Sequence, residues 1–174
     1  MTASARRALV MFPEAGNLGT IEAIRAQHDP QVSLIAAHVT LVFPFADDLS
    51  AESLRNHIID IASGHAPFVA RFERPREFDD GYIALAATTG RRELVDLHDR
   101  LYSGPLARHL SDVHTYRPHV TLARVDDPRL RTRALDAICR LSPVIETTLR
   151  EIVVFGIDRG AGAVGSTVAL GAIS

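Results

Sequence analysis

The tetrapeptide His-Val-Thr-Leu occurs twice in this chain, at residues 38–41 and again at 119–122. With eight histidines and eleven threonines among 174 residues, one His-x-Thr would arise by chance roughly half a time, so a single copy would say little. Two identical copies constrain the fold if they lie at matching places in a repeated layout. Hydrophobic periodicity indicates that they do.

Ala8 to Phe12 is an apolar run ending at Pro13 and reads as a buried strand. Asn17 is placed to cap a helix through about Gln27, with Leu18, Ile21 and Ile24 on one face. Leu34 to Phe43 reads as the strand region of the first motif, ended by Pro44. Ser50 then opens a helix with Leu54, Ile58 and Ile61 inward and Gly64 as its stop. Phe68 to Phe72 alternates like a strand, and Asp79-Asp80-Gly81 turns the chain into Tyr82 to Ala87.

The second half repeats this order. Arg92 to about Tyr102 carries Leu94, Leu97 and Leu101 at helical spacing, followed by the second motif strand over residues 119–125. Asp127-Pro128 reads as an N-cap and first helical position, opening a helix with Leu130, Ala134, Ile138 and Leu141 inward. Glu151 to Ile157 and Gly165 to Leu170 are the final strands, joined through a turn at Gly160 and Gly162. Strand, helix, motif strand, helix, strand in both halves predicts a duplicated α+β fold with a pseudo-twofold axis. No linker or composition shift divides the chain, so residues 1–174 are read as one domain of two lobes, with motif strands near 38–43 and 119–125.

In a strand, residues i and i+2 leave the same face about 6.5 to 7 Å apart. His38 and Thr40 therefore point together, as do His119 and Thr121, while the valines and leucines anchor the opposite face. Two such strands meeting across a cleft present two imidazoles and two hydroxyls to one point. Phosphodiester chemistry uses that set: one imidazole takes a proton from the attacking oxygen and the other gives one to the leaving oxygen. An unperturbed pKa of about 6.5 suits the ring to both tasks. Threonine hydroxyls can bind the non-bridging oxygens. No metal ligand set is evident beside either copy, so no metal or other cofactor is expected.

These residues resemble the 2H phosphoesterase superfamily, which includes bacterial 2′-5′ RNA ligase and RNA 2′,3′-cyclic phosphodiesterase proteins and is defined by two His-x-Thr/Ser-x motifs. Phe-Pro-Phe at 43–45 and Arg-Pro before His119 add to the likeness. The resemblance implies a bilobal α+β fold, with antiparallel sheets flanking a central cleft and helices outside. It also implies metal-independent hydrolysis of 2′,3′-cyclic phosphates or related nucleotide and RNA-end esters, with reversible 2′-5′ ligation as a variant. By the same resemblance His38 is the proton donor and His119 the acceptor.

Composition narrows the partners. A net charge of −2 leaves no broad positive field for gathering a nucleic-acid strand, so contact with RNA would be local and DNA is not expected. All 19 basic residues are arginine; the guanidinium fork suits phosphate, although a GC-rich coding bias also produces this. No apolar run reaches about 18 residues and the N-terminal stretch has no signal-like core, which reads as a cytoplasmic chain away from membranes. A monomer is expected, since duplication already supplies a twofold pairing. Cys139, the sole cysteine, reads as a small buried hydrophobe in its helix.

Phe43, Tyr116 and Tyr82 are candidates for stacking on a base, as is Phe45, and Arg117 is a candidate phosphate contact. Arg124 alternates to the face away from His119. His57 and His98 lie near helical apolar stripes and read as packed side chains. His109, His114 and His119 recur at intervals of five, a spacing that does not match helical metal pairs. A non-catalytic binder of RNA ends or nucleotides is the competing reading, and a histidine metallohydrolase a third.

Overall fold

A computed structural model describes residues 6–113, 115–158 and 160–171. Its strands are β1 (Arg6–Met11), β2 (Val39–Phe45), β3 (Phe68–Glu77), β4 (Tyr82–Thr89), β5 (His119–Arg124), β6 (Ile145–Leu149), β7 (Glu151–Asp158) and β8 (Ala161–Ala169). The helices are α1 (Leu18–His28), α2 (Ala51–Ala62), α3 (Arg91–Leu101) and α4 (Pro128–Leu141). All eight strands join one antiparallel sheet in the order β6-β3-β4-β5-β2-β1-β7-β8.

The two motif strands lie side by side at the centre, joined by the Val39–Val120 pairing. On one side β2 is followed outward by β1, β7 and β8; on the other, β5 is followed by β4, β3 and β6. This is the pseudo-twofold arrangement, with one exchange that periodicity could not show. After its motif and helix, the chain crosses over: β3 leaves the first half to pair with β4, and β7 returns from the second half to pair with β1. Strand β6 was not anticipated; it fills the edge beyond β3.

Alternation divides the side chains between two faces. Leu9, Met11, Val39, Leu41, Val120, Leu122, Ile83 and Leu85 enter one large core with Ile21, Ile24, Leu54, Ile58, Leu94, Leu97 and Leu101 of the helices. Truncating one of these fully buried leucines to alanine costs about 2–5 kcal/mol. The helices pack crosswise on that face, α1 against β5 and α3 against β2, which binds each motif strand to the other repeat's helix. On the opposite face Ala8, Val10, Val153 and Phe155 form a smaller cluster under Ile35.

Local chemistry accounts for most element ends. Ser50 Oγ accepts from Ser53 N–H at 3.0 Å, and Asp127 Oδ1 accepts from the N–H groups of Arg129 and Leu130 at 2.8 and 2.9 Å. Gly90 precedes α3 at φ +73°, and a Cβ there would stand 2.7 Å from the Val69 carbonyl oxygen.

Several expectations fail. Asn17 makes no side-chain cap; its amide instead donates to the Val144 carbonyl. The first motif strand begins at Val39, because residues 29–37 form turns. Leu130 and Leu141 are exposed and Cys139 is exposed with them, since α4 rests on β3 through only Ala134 and Ile138 among its buried residues. Gly162 is not a turn residue: it lies in β8, where Phe155 and the Leu34 carbonyl leave no space for a side chain.

Candidate active site

An antiparallel pairing centred on Val39 and Val120 places Thr121 across from His38 and His119 across from Thr40. The four polar side chains therefore occupy one patch of the sheet, with the two histidines on its diagonal. Diagonal neighbours have Cα atoms about 7–8 Å apart, with Cβ atoms somewhat closer, a span that leaves room for a phosphate between two imidazoles. All four line a single cavity of about 510 Å³, within the range of small-ligand sites.

Both rings are held in the same way. His38 Nδ1 donates to the Ala36 carbonyl at 2.8 Å, and His119 Nδ1 donates to the Arg117 carbonyl at 2.6 Å. A carbonyl only accepts, so each Nδ1 carries the proton and each neutral ring keeps Nε2 as its basic nitrogen. Among the described residues no hydrogen bond occupies either Nε2. An aromatic ring flanks each: Phe12 meets His38 edge-on at 6.3 Å, and Phe78 lies at 4.6 Å from His119.

Burial lowers both imidazoles from their ordinary 6.5, more than the backbone hydrogen bonds raise them. The Arg25 charge and His119 push His38 down further, against Asp29, and Arg117 pushes His119 down. Each ring thus favours its neutral form until an anion enters.

The surroundings of the two rings differ. Arg25, fully buried in α1, bonds Asp29 at 2.8 and 2.9 Å, Glu22 at 2.8 and 2.9 Å and the Ile35 carbonyl at 2.8 Å, while Glu22 accepts from Ala37 N–H at 2.6 Å. This ionic clamp fixes the turn that presents the Ala36 carbonyl. His98 is buried in α3 and donates from Nδ1 to the Leu41 carbonyl at 2.8 Å. Its ring stacks on Tyr116 at 3.7 Å, and the Tyr116 hydroxyl donates to the Thr40 carbonyl at 2.8 Å.

The remaining sequence candidates separate. Tyr116 lines the cavity, but its ring is committed to His98 and its hydroxyl to β2, so it braces the first motif. Arg117 also lines the cavity, with its guanidinium on Asp79 at 2.9 Å and over the Phe78 ring at 4.7 Å. Phe43 lines the cavity half-exposed, its N–H donating to the Tyr102 hydroxyl at 3.0 Å. Tyr82 lies under Arg124, and Phe45 is buried beside His109. His57 is packed, with Nε2 on the Leu101 carbonyl at 3.0 Å. His109 bonds Asp47, and His114 lies outside the described residues. Among the described residues no group of three His, Cys, Asp or Glu is placed to hold a metal, and no helix is long and apolar enough to cross a membrane.

Sequence reasoning missed Phe12, Phe78, Arg25 and the two carbonyls. Carbonyls leave no trace in side-chain identity. Arg25 did leave one, because Glu22 and Asp29 stand three residues before and four after it, the spacing of helical ion pairs.

A duplicated sheet that brings two His-x-Thr pairs to one cavity is the architecture of a 2H phosphoesterase. The model of the 2′-5′ RNA ligase superfamily matches residues 12–161, and the chain belongs to that family. Its relatives include proteins named "Putative phosphoesterase" from Bacillus pumilus and Bacillus licheniformis. The first is 27% identical over 118 residues, covering 67% of this chain and 68% of the relative. The second is 24% identical over 169 residues, covering 94% and 98%. Solved structures with the same fold include apo Escherichia coli LigT, at a TM-score of 0.64 and 20% identity over 97% of this chain and 99% of that one. LigT complexed with 3′-AMP gives 0.63 and 20% over 95% and 98%. TT0787 of Thermus thermophilus gives 0.60 and 16% over 95% and 97%.

Proposed function

We propose that the chain is a metal-independent phosphodiesterase that opens 2′,3′-cyclic phosphates or related nucleotide and RNA-end esters by histidine acid-base catalysis. The observation that carries this reading is the Val39–Val120 register, which sets His38, Thr40, His119 and Thr121 around one point of the cavity. LigT structures complexed with 3′-AMP, ATP and NADP+ support a ligand of nucleotide class for this fold.

In this reading His119 Nε2 takes a proton from water as the water oxygen attacks phosphorus. His38 enters protonated and donates from Nε2 to the departing ribose oxygen, so the P–O bond breaks without releasing an alkoxide. The phosphate anion restores the protonated form that burial disfavours in the empty site. Thr40 and Thr121 donate hydroxyl protons to the non-bridging oxygens, whose charge changes during transfer. The Ala36 and Arg117 carbonyls stabilise whichever imidazole is cationic. Each ring can therefore serve as acid or base, and with a 5′-hydroxyl in place of water the same two proton transfers form a bond from that oxygen to phosphorus as the bond to the 3′ oxygen breaks, which is the 2′-5′ ligation variant.

Turnover of nucleoside 2′,3′-cyclic phosphates in the presence of chelator tests the proposal. Activity should survive chelation and fall in both His38→Ala and His119→Ala. Binding without product would favour a nucleotide-binding protein, and chelator-sensitive turnover a metallohydrolase.

A further inference from the structure

The sheet loosens immediately after Thr40. From Val10 to Arg7 strand β1 takes three steps while β2 takes five, from Thr40 to Phe45, so the register slips twice and β2 carries two extra residues. On its other side β2 meets β5 at one pairing among the described residues, Val39–Val120. The second motif is better laddered. Strand β5 slips once after Thr121, and its pairing with β4 resumes at Ala123. Among the described residues no side chain bonds the backbone of residues 120–124.

Side chains do what the ladder does not on β2. The Tyr116 hydroxyl donates to the Thr40 carbonyl at 2.8 Å, His98 Nδ1 donates to the Leu41 carbonyl at 2.8 Å, and the Phe43 N–H donates to the Tyr102 hydroxyl at 3.0 Å. His98 stands between the two tyrosines, flat on Tyr116 at 3.7 Å and edge-on to Tyr102 at 4.8 Å. Burial pushes the Tyr116 hydroxyl above its ordinary 10 and lowers His98 from 6.5, so the phenol keeps its proton and the imidazole stays neutral. Burying an imidazole and two phenols carries a desolvation cost that leucines would avoid. What the trio supplies instead is direction, with a bond to three of the four residues 40–43.

We propose that His98 and Tyr116 are positioning residues: by fixing the Leu41 and Thr40 carbonyls they aim the Thr40 hydroxyl at the phosphate, a task that the β4 ladder performs for Thr121. This rests on the phosphodiesterase reading and extends its machinery to two side chains that act through β2.

Steady-state kinetics on adenosine 2′,3′-cyclic phosphate, run well below the unfolding temperature of every variant, test the proposal. Tyr116→Phe keeps the stack on His98 and removes one donor; it should lower kcat about tenfold with little change in KM. His98→Ala should lower kcat by a similar factor, and His98→Asn, whose amide can donate to the Leu41 carbonyl, should recover most of it. Because the effect runs through Thr40, Tyr116→Phe should add less than about twofold in a Thr40→Val background and keep its full factor in Thr121→Val. A general loosening of the fold would lower kcat alike in both backgrounds. That result would overturn the proposal, as would an unchanged kcat in Tyr116→Phe. Titration with inorganic phosphate separates the proposal from the phosphodiesterase reading. If the wild-type protein binds phosphate but turns over no cyclic ester, and Tyr116→Phe weakens that binding with the same dependence on Thr40, the catalytic reading falls and the positioning role stands. Equal phosphate affinity in that case overturns the positioning role, and a protein that neither binds phosphate nor turns over the ester overturns both.

Discussion

The turns that precede the two histidines do the same work with different chemistry. Before His38, residues 29–37 are tied down by Arg25, which is 1% exposed and spends its guanidinium on Asp29, Glu22 and the Ile35 carbonyl. Before His119, residues 115–118 carry no buried charge: Arg117 pairs with Asp79 in the open, the Tyr116 ring stacks on His98, and the carbonyl of buried Pro118 accepts from Ala87 N–H at 3.0 Å. Each turn ends by offering a carbonyl to Nδ1 two residues later. Duplication preserved that hydrogen bond, while the supporting contacts diverged into a buried ionic clamp and an exposed pair. Removing the two supports should therefore have very unequal consequences.

The largest effect should fall on the histidines themselves, where the comparison predicts equivalence. His38→Ala and His119→Ala should each lower kcat by about a hundredfold to ten-thousandfold, measured on a cyclic phosphate with circular dichroism confirming the fold. A large loss in one and none in the other would break the symmetry on which the comparison stands. Next in size is Arg25→Leu, which leaves Glu22 and Asp29 without their buried cation and should destabilise the fold by about 3–5 kcal/mol in urea unfolding. Arg117→Ala removes a solvent-screened pair and should cost less than about 1 kcal/mol in the same experiment. Comparable losses in the two variants would mean that the clamp and the surface pair are energetically alike.

Acid should act through the same buried groups. Burial depresses His38, His98 and His119, so each binds a proton more readily unfolded than folded. Stability is then unaffected well above pH 6.5, declines as pH falls from 6.5 toward the folded pKa values, and levels off once both states are protonated. Thermal unfolding from pH 8 to 5 reads this directly, and a midpoint that rises on acidification would contradict it. The kcat/KM profile, which reports the free enzyme, should peak below pH 6.5. Tyr116→Phe, which removes the donor to the Thr40 carbonyl, should cost about 1 kcal/mol, between the Arg25 and Arg117 effects.

Much of the motif region was legible because strand alternation is a strict rule. His38 with Thr40, and His119 with Thr121, share a face for the same reason that Val39 and Leu41 are buried. The helices of both halves were legible from their stripes, except on α4. There Leu130, Cys139 and Leu141 fit the pattern yet stay exposed, because α4 covers only part of β3. The exchange of β3 and β7 between halves was not legible, since strand pairing is set by tertiary contacts and both strands read as ordinary apolar segments. Tyr116 was identified as near the site for the wrong reason: nothing local shows that His98, eighteen residues earlier, occupies the face of its ring.

The central claim is that two imidazole Nε2 atoms address one shared anion while each Nδ1 stays bound to a carbonyl. Nitrogen-15 NMR of the histidine side chains during titration with inorganic phosphate measures this directly. Both His38 and His119 Nε2 resonances should shift along a single binding curve while both Nδ1 protons are retained. If only one ring responded, or the two followed separate curves, the rings would not share a site.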